Sequence, residues 1–248
     1  SCGSAEFRFW CEMNVYPFRL GTTSYIIPAD ILPNVRYLAG KVRDVELVLF
    51  EVDDGASNLP SRGQIAEMCS IAADNDLTYT IHLPLDLRLA DDGSSRHASL
   101  AKARRVIECT SELHPWAYVL HLDGKTVRNG ATPEAMLRWQ DQAVRSLEIV
   151  AGWTGSAEKL AVENLEGYPL DFHEPVLKRI NASQTVDIGH LWFDDHDPVA
   201  YLRGALPRTR VIHIHGIDER DHKSLAHVPV EKLRAVLDEL VRAHYCGV

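Results

Sequence analysis

The stretch TYTIHLPL, residues Thr78–Leu85, is a short run rich in β-branched and aromatic side chains, and YVLHLDG, residues Tyr118–Gly124, is a second. Such runs are typical of buried β-strands. The segment between them, Ser95–Leu113, has the polar and apolar spacing of an amphipathic helix. A strand, a helix and a further strand in this order predict a parallel β-α-β unit.

The same alternation continues in both directions from this unit. Six further strands are predicted at Arg19–Ile26, Asp44–Glu51, Lys159–Leu165, Gln184–Leu191, Arg210–Ile217 and His244–Val248. Further helices are predicted at Ser61–Asn75, Thr132–Ala151 and Val230–Ala243. Eight strands without a linker that could divide two domains predict an α/β protein with a single-domain (β/α)8 TIM barrel. Because the sequence ends within the last run, we expect the eighth strand to be incomplete in this chain unless further residues or another chain complete it.

The first residues differ in character from the rest of the chain. Gly3-Ser4 and Glu6-Phe7 resemble dipeptides left by cloning, and Met13 is a plausible native start. We therefore predict a tag or vector-derived segment at residues 1–12 and the barrel domain at residues 13–248. A short native strand at the N-terminus is the alternative.

Composition excludes several classes of protein. The 248 residues carry a formal net charge of −9, which disfavours nucleic acid as a partner and leaves a small-molecule substrate. The five cysteines form no CxxC pair, so we expect reduced thiols. No apolar run reaches the roughly 18 residues of a membrane span. We expect a cytoplasmic protein without membrane contact, and the oligomeric state stays open.

Histidine and acidic residues are concentrated where the predicted strands end. They are His82, His121, Glu163, Asp187, His190, His213, His215, Asp221 and His222. The carboxyl ends of the strands form the catalytic face of a TIM barrel, so these side chains should converge. Imidazole and carboxylate are ligands that zinc, manganese and iron prefer. We therefore predict one to three divalent metal ions at the barrel mouth, where Glu163 or Asp187 could bridge two ions.

Some of these residues have alternative roles. His213 and His215 share one face of their strand, and only one of them needs to bind metal. The other, here taken as His215, could contact a phosphate or polarise a leaving group. Glu163 could receive a proton from a metal-bound water, and Asp187 or an unliganded histidine is the alternative base.

Loops after the strands offer candidates for substrate binding. Thr22, Thr23 and Ser24 could present hydroxyl and backbone N–H groups to a phosphate. The aromatic residues Tyr25, Trp192 and Phe193 could cover the flat face of a large macrocycle. The alternative is that these aromatic side chains pack over the adjacent helices.

The ordered histidines and acids resemble a known family, the AP endonuclease 2 branch of the xylose isomerase-like barrels. The resemblance implies two or three zinc or manganese ions and hydrolysis of phosphodiesters. By position it implies that His82 and His121 bind a first ion and that Glu163 bridges to a second. Asp187 and His213 would complete the second site.

The resemblance extends less completely to a third ion. His190 would bind it together with the loop residues Asp221 and His222. The family has one residue between this acid and histidine, whereas here they are adjacent. The family also carries a last glutamate on the eighth strand, and this sequence ends before that position. A complete third site is therefore open.

A narrower likeness lies in three segments. LGTTSYIIPAD at Leu20–Asp30, HIHG at His213–Gly216 and DHKSL at Asp221–Leu225 are similar to the cobamide-remodelling phosphodiesterases of the CbiR type. This resemblance implies hydrolysis of the nucleotide-loop phosphodiester of an adenosylated cobamide. The products would be cobinamide phosphate and the nucleoside of the lower ligand.

Two other functions remain open from the sequence. A sugar or keto-sugar isomerase or epimerase on the same barrel would need a second inward acid near Glu163, and Glu51 and Glu166 are the candidates. The histidine surplus favours hydrolysis over this reaction. The second alternative to hydrolysis is a non-catalytic role, in which the protein binds a corrinoid or a metal.

Overall fold

The computed structural model describes residues 16–51, 55–218 and 222–248. Its seven parallel strands form one curled sheet in which each strand pairs with the next along the chain. The strands are β1 Gly21–Thr23, β2 Asp44–Val48, β3 Thr78–His82, β4 Ala117–Leu120, β5 Leu160–Glu163, β6 Ser183–Asp187 and β7 Thr209–His213. The α-helices of these residues are α1 Ile31–Leu38, α2 Arg62–Asn75, α3 Ala98–Thr110, α4 Pro133–Thr154, α5 Glu174–Leu177, α6 Ile188–Phe193, α7 Pro198–Ala205 and α8 Val230–Arg242. The predicted single-domain TIM-barrel architecture is confirmed.

The last residues of the chain lie where an eighth strand belongs. The N–H of Ile212 donates to the carbonyl of Val248 at 2.8 Å, and the N–H of Val248 donates to the carbonyl of Arg210 at 3.2 Å. On the other side, the N–H of Arg19 donates to the carbonyl of Gly247 at 2.9 Å. The pattern is that of a parallel ladder. The eighth strand is incomplete, as predicted: Gly247 and Val248 bond to the neighbouring segments, and residues 244–246 do not form a regular strand.

Local sequence signals explain where the helices begin. The hydroxyl of Ser61 accepts from the N–H of Gln64, whose side chain accepts from the N–H of Ser61, and this capping box starts α2. The hydroxyl of Thr132 accepts from the N–H of Ala135, and Pro133 occupies the first turn of α4. The helices predicted from Ser61 and Thr132 therefore have these residues as their N-caps, whereas the helix predicted from Ser95 begins later, at Ala98.

The sixth strand ends earlier than predicted. Residues assigned to its second half form α6, because the side chain of Asp187 accepts a hydrogen bond from the N–H of His190 at 2.9 Å and caps a helix. Apolar residues continue through Ile188 and Leu191 without a break. A continuous apolar run does not distinguish a buried strand from a buried helix.

The first strand is also shorter than predicted. The N–H groups of Ile26 and Ile27 donate to the side-chain oxygen of Asn34 at 2.8 and 2.9 Å. These bonds hold the segment after β1 in a loop ahead of α1, a helix that the sequence analysis did not predict. Because Asn34 is fully buried, its amide satisfies backbone groups that a longer strand would otherwise pair.

The core has two parts. Outward-facing strand residues such as Leu47, Ile81 and Leu120 pack against the helices. The interior of the sheet holds a small cluster of Ala117, Val119, Ala161 and Val211. Polar side chains occupy the inward positions above this cluster, at the carboxyl ends of the strands.

Two sequence predictions fall partly or wholly outside this description. Residues 1–12 are not described, so the predicted tag stays a prediction. Within residues 16–51, 55–218 and 222–248, no helix combines the length and the apolar composition that crossing a membrane requires.

Candidate metal centre

The ends of four strands bring acids and histidines together. His82, Glu163, Asp187 and His213 are the last residues of β3, β5, β6 and β7. Asp187 and His213 are direct partners in the β6–β7 register. Because parallel strands end at the same edge, these side chains surround one point at the barrel mouth.

Glu163 is the centre of this arrangement and is only 2% exposed. Its Oε1 lies 2.8 Å from Nδ1 of His213. Its Oε2 lies 3.0 Å from Nε2 of His121 and 3.5 Å from Nε2 of His82. One carboxylate thus contacts three imidazoles, each from a different strand or strand end.

The potential ligand atoms fall into three overlapping groups. Within each group, one ligand atom of every residue lies within 4.8 Å of the others. The groups are His82, His121 and Glu163; Glu163, Asp187 and His213; and Asp187, His190, His215 and His222. Glu163 belongs to the first two groups and Asp187 to the last two. The structure therefore brings together the predicted ligands, except Asp221, which lies outside the described residues.

Asp187 shows that a cation fits here. The residue is fully buried, and its Oδ1 lies 3.0 Å from Nε2 of His215. Its Oδ2 has no hydrogen-bond partner among the described residues and lies 3.8 Å from Nδ1 of His213. A buried carboxylate oxygen without a partner carries a large desolvation cost. A divalent ion beside Oδ2 would remove that cost, so the donor set suits zinc, manganese or iron.

Two acids that the sequence analysis missed orient the histidines. Oδ1 of Asp86 lies 3.1 Å from Nδ1 of His121, and Oε2 of Glu46 lies 2.8 Å from Nε2 of His213. Carboxylates in such positions fix the ring and the tautomer of a metal-binding histidine. Strand alternation could have identified Glu46, because it shares the inward face of β2 with Asp44 and Val48.

Glu51, the acid considered for β2, does not lie in the site. β2 ends at Val48, and the side chain of Glu51 pairs with Arg105 on α3. Residues of opposite parity on a strand face opposite sides, which places Glu46 inward instead. Glu166 does reach the site, where its Oε2 lies 3.3 Å from Nε2 of His190.

The third group is built from rings in contact. His215 and His222 stack with centroids 4.3 Å apart and planes 10° apart. His190 meets both rings edge-on at 5.5 Å. Nδ1 of His215 lies 3.0 Å from both the N–H of His222 and the carbonyl oxygen of Gly216, and its Nε2 lies 3.0 Å from Oδ1 of Asp187.

Opposite charges dominate the titration of the cluster. Burial raises the pKa of Glu163, but the charge of His213 and the hydrogen bond from His121 outweigh burial and hold it well below 4.5. Burial lowers the pKa of His121, but hydrogen bonds with Asp86 and Glu163 raise it to about 10. Burial opposes the rise at His213 too, yet Glu46 and Glu163 keep its pKa well above 6.5. Without a cation, protonated His121 and His213 therefore face the carboxylates of Asp86, Glu46 and Glu163, and a metal ion must displace the protons of these two rings to bind them.

This network predicts how the stability of the metal-free protein depends on pH. A group whose pKa is raised on folding stabilises the protein fully below its unfolded pKa and loses that effect as the pH passes its folded pKa. The stabilisation from His121 should therefore fall between pH 6.5 and about pH 10. We expect the difference in unfolding free energy between wild type and His121→Ala to shrink over this range. Urea denaturation with a chelator present measures it, and a difference that grows with pH would contradict the assignment.

The site opens into a large cavity of about 790 Å³. The walls include residues of all three ligand groups, the predicted Thr22 and Thr23, and apolar side chains such as Leu233, Leu237 and Tyr245. A volume of this size suits a bulky organic ligand.

Other predicted substrate-binding residues lie elsewhere. The hydroxyl of Ser24 is buried and accepts from the N–H of Val48 at 3.4 Å, so it holds two strand ends together instead of facing the cavity. Trp192 is only 6% exposed, packs in the core among residues of α7 and α8 and does not line the cavity, so its contact with a ligand stays a prediction. Phe193 ends α6, is exposed and does not line the cavity. Tyr25 is half exposed, and its hydroxyl is tied to Val48 and Asn58.

The fold and the convergent strand-end residues define a TIM-barrel protein with a candidate polynuclear metal site. The family model for the xylose isomerase-like TIM barrel, AP endonuclease 2, matches residues 41–248. The chain belongs to this family. It has no significant match among curated protein sequences.

Solved structures with the same fold have different activities. The chain is similar to YcjR from E. coli, a 3-keto-D-glucoside 4-epimerase, with 17% identity, a TM-score of 0.64 and coverage of 93% of this chain and 89% of that one. A D-tagatose 3-epimerase-like protein shows 18% identity, a TM-score of 0.67 and coverage of 93% and 89%. Endonuclease IV from Thermus thermophilus shows 17% identity, a TM-score of 0.64 and coverage of 90% and 88%. Identities this low show a common fold only.

Proposed function

We propose that the protein is a metal-dependent phosphodiesterase. The observation that carries this proposal is the overlap of three ligand groups through two shared carboxylates, Glu163 and Asp187. Adjacent divalent ions bridged by a carboxylate can stabilise both the attacking and the departing oxygen in an in-line displacement at phosphorus. An enzyme that moves a proton beside a carbonyl needs fewer imidazoles than this site contains.

The residues of the site would divide the work of such a reaction between metal binding and proton transfer. His82, His121 and Glu163 would hold one ion, and Asp187 and His213 would join Glu163 at a second. Divalent ions bound there would lower the pKa of water toward about 7 and offset the charge that develops on the phosphoryl oxygens.

Proton transfer falls to side chains that line the cavity. Nε2 of His215 lies 3.0 Å from Oδ1 of the buried Asp187, a carboxylate that would stabilise the protonated ring. We assign to His215 the proton that the departing oxygen receives. Water would add to phosphorus and give one proton to Glu163 or Asp187, the bond between phosphorus and the departing oxygen would break, and the proton from His215 would complete the leaving alcohol.

The proposed substrate is a cobamide. Hydrolysis of its nucleotide-loop phosphodiester would release cobinamide phosphate and the nucleoside of the lower ligand. The size of the cavity and its apolar side chains support a bulky ligand of this kind. Thr22 and Thr23 line the same cavity, and Tyr25 stands exposed beside β1, where its ring could contact a macrocycle.

Incubation of the metal-loaded protein with adenosylcobalamin and, separately, with simple aryl phosphodiesters tests this proposal. We expect cobinamide phosphate and a nucleoside as products, and we expect a chelator to abolish their formation. Cleavage of the aryl phosphodiesters without cleavage of adenosylcobalamin would support phosphodiesterase activity and exclude a cobamide as the substrate. Tight corrinoid binding with no product over hours would favour the corrinoid-binding protein instead.

One observation favours a second candidate, a keto-sugar isomerase or epimerase. Glu46 and Glu163 lie on opposite sides of His213, each 2.8 Å from one ring nitrogen. Two carboxylates in one site could exchange a proton beside a sugar carbonyl. Incubation with keto-sugars in D2O separates the candidates, because an epimerase would incorporate deuterium at the carbon next to the carbonyl and a phosphodiesterase would not.

A further inference from the structure

The loop after β4 places two cations on the wall of the cavity, Lys125 and Arg128. The N–H groups of Val127 and Arg128 both donate to the carbonyl of Gly124 at 2.9 Å, so the loop is a closed turn. Arg19 also lines the cavity but bonds to the carbonyl of Arg43 and to other groups below the strands. Lys125 and Arg128 are therefore the cations of the described cavity wall that lie near the candidate metal centre.

These two cations differ in what they contact. Nζ of Lys125 lies 2.8 Å from Oδ2 of Asp86, the acid that orients His121. Lys125 is therefore already ion-paired with a carboxylate beside the candidate metal ligands. Arg128 forms no ion pair with any carboxylate of residues 16–51, 55–218 and 222–248. Its guanidinium carbon instead lies 4.8 Å from the centre of the Tyr168 ring. The charge of Arg128 is thus not neutralised by the part of the chain that the structure describes.

The ring beneath Arg128 is firmly held. Tyr168 is only 7% exposed. The centroid of its ring lies 5.0 Å from that of Phe172, and the centroid of Phe172 lies 4.5 Å from that of Trp139. A Cβ on Gly124 would lie 2.5 Å from Phe172, so the β4 loop can pass this cluster only with glycine at that position. A guanidinium on a fixed aromatic face keeps its N–H edges free for an acceptor in its plane.

We propose that Arg128 is an anion-binding residue that holds a phosphate group of the ligand that occupies the cavity. A planar guanidinium donates two parallel hydrogen bonds to a phosphate, which no other uncommitted side chain on the described part of this wall can do. The acids Asp86 and Glu166 line the same cavity and would repel an anion placed away from Arg128 and the metal ions. The identity of the phosphate as part of the substrate rests on the proposed function, whereas anion binding itself does not.

Calorimetric titration of the metal-loaded protein with inorganic phosphate tests the anion site. We expect Arg128→Gln to weaken phosphate binding by about 10-fold or more, the loss of one charge-assisted interaction. Arg128→Lys should recover part of the affinity, since it restores charge without the planar fork. The metal content of both variants should equal that of wild type. Phosphate binding to Arg128→Gln at wild-type affinity would overturn the proposal.

A matched control and a kinetic readout keep the two proposals separate. Arg138→Gln removes an arginine of α4 that does not line the cavity, and it should leave phosphate affinity unchanged. If wild type hydrolyses phosphodiesters, Arg128→Gln should raise KM much more than it lowers kcat, and an unchanged KM would overturn the substrate role. If wild type hydrolyses no phosphodiester but its phosphate binding still depends on Arg128, the proposed anion site is retained and the proposed phosphodiesterase function is rejected.

Discussion

Replacing Glu163 by glutamine lowers phosphodiester turnover by at least about 100-fold while the protein stays folded, if Glu163 joins two ligand groups as the structure indicates. The amide has nearly the same size as the carboxylate but lacks its charge. It cannot balance two cations, and its nitrogen faces imidazoles that now lack an acceptor. Measurement of kcat, with bound metal determined by elemental analysis, checks this expectation.

Comparison with His121→Ala separates bridging from simple ligation. His121 belongs to one ligand group only, so its loss should reduce bound metal less than the loss of Glu163. Near-ultraviolet circular dichroism of both variants establishes that the barrel is intact. Wild-type turnover in Glu163→Gln would falsify the shared-carboxylate site. Unchanged metal content in His121→Ala would remove His121 from the ligand set.

The order of the strands and the residues at their ends followed from the sequence for a physical reason. Buried parallel strands require continuous apolar and β-branched runs, so a polar residue that ends such a run stands out. His82, Glu163 and His213 are of this kind, and each is the final residue of its strand. The convergence of these residues then follows from the parallel topology, which fixes where every strand ends.

Contacts that depend on loops and on helix starts did not follow from the sequence. Asp86 reaches His121 only because the segment after β3 folds back beside the end of β4. Trp192 enters the core because the cap at Asp187 turns the chain into a helix immediately after β6. Such turns depend on single side-chain hydrogen bonds, which leave no periodic signal. Glu46, in contrast, had a signal in strand alternation.

A second large effect is expected from the smallest change, Gly189→Ala. A Cβ at this position would lie 2.1 Å from Cε1, 2.3 Å from Nε2 and 2.4 Å from Nδ1 of His215, so the ring would have to leave its place. Asp187 would lose its contact with His215, and the third ligand group would lose a member. A displacement of about 1 Å can cost about 100-fold in rate. We expect kcat to fall by roughly that factor.

The backbone conformation of Gly189 is one that alanine can adopt, so a loss of activity in Gly189→Ala would not reflect backbone strain. Gly189 lies within α6 without a positive φ, so alanine is a residue that its helical conformation accepts. The thermal unfolding midpoint should therefore not fall in proportion to activity. Gly152→Ala is the matched control, because Gly152 also lies in a helix and a Cβ there meets no atom within 4 Å. Its activity should equal that of wild type.

A double-mutant cycle shows whether the loss acts through the ring of His215. In a His215→Ala background the colliding atoms are absent, so Gly189→Ala should cause little further loss. If the reductions in kcat of the two single variants multiply in the double variant, Gly189 acts independently of His215, for example by allowing substrate to approach α6. Full activity of Gly189→Ala alone would mean that the reaction does not need His215 where the structure places it. The stacked pair of His215 and His222 would then be a feature of packing, and the proton for the departing oxygen would have to come from another group in the cavity.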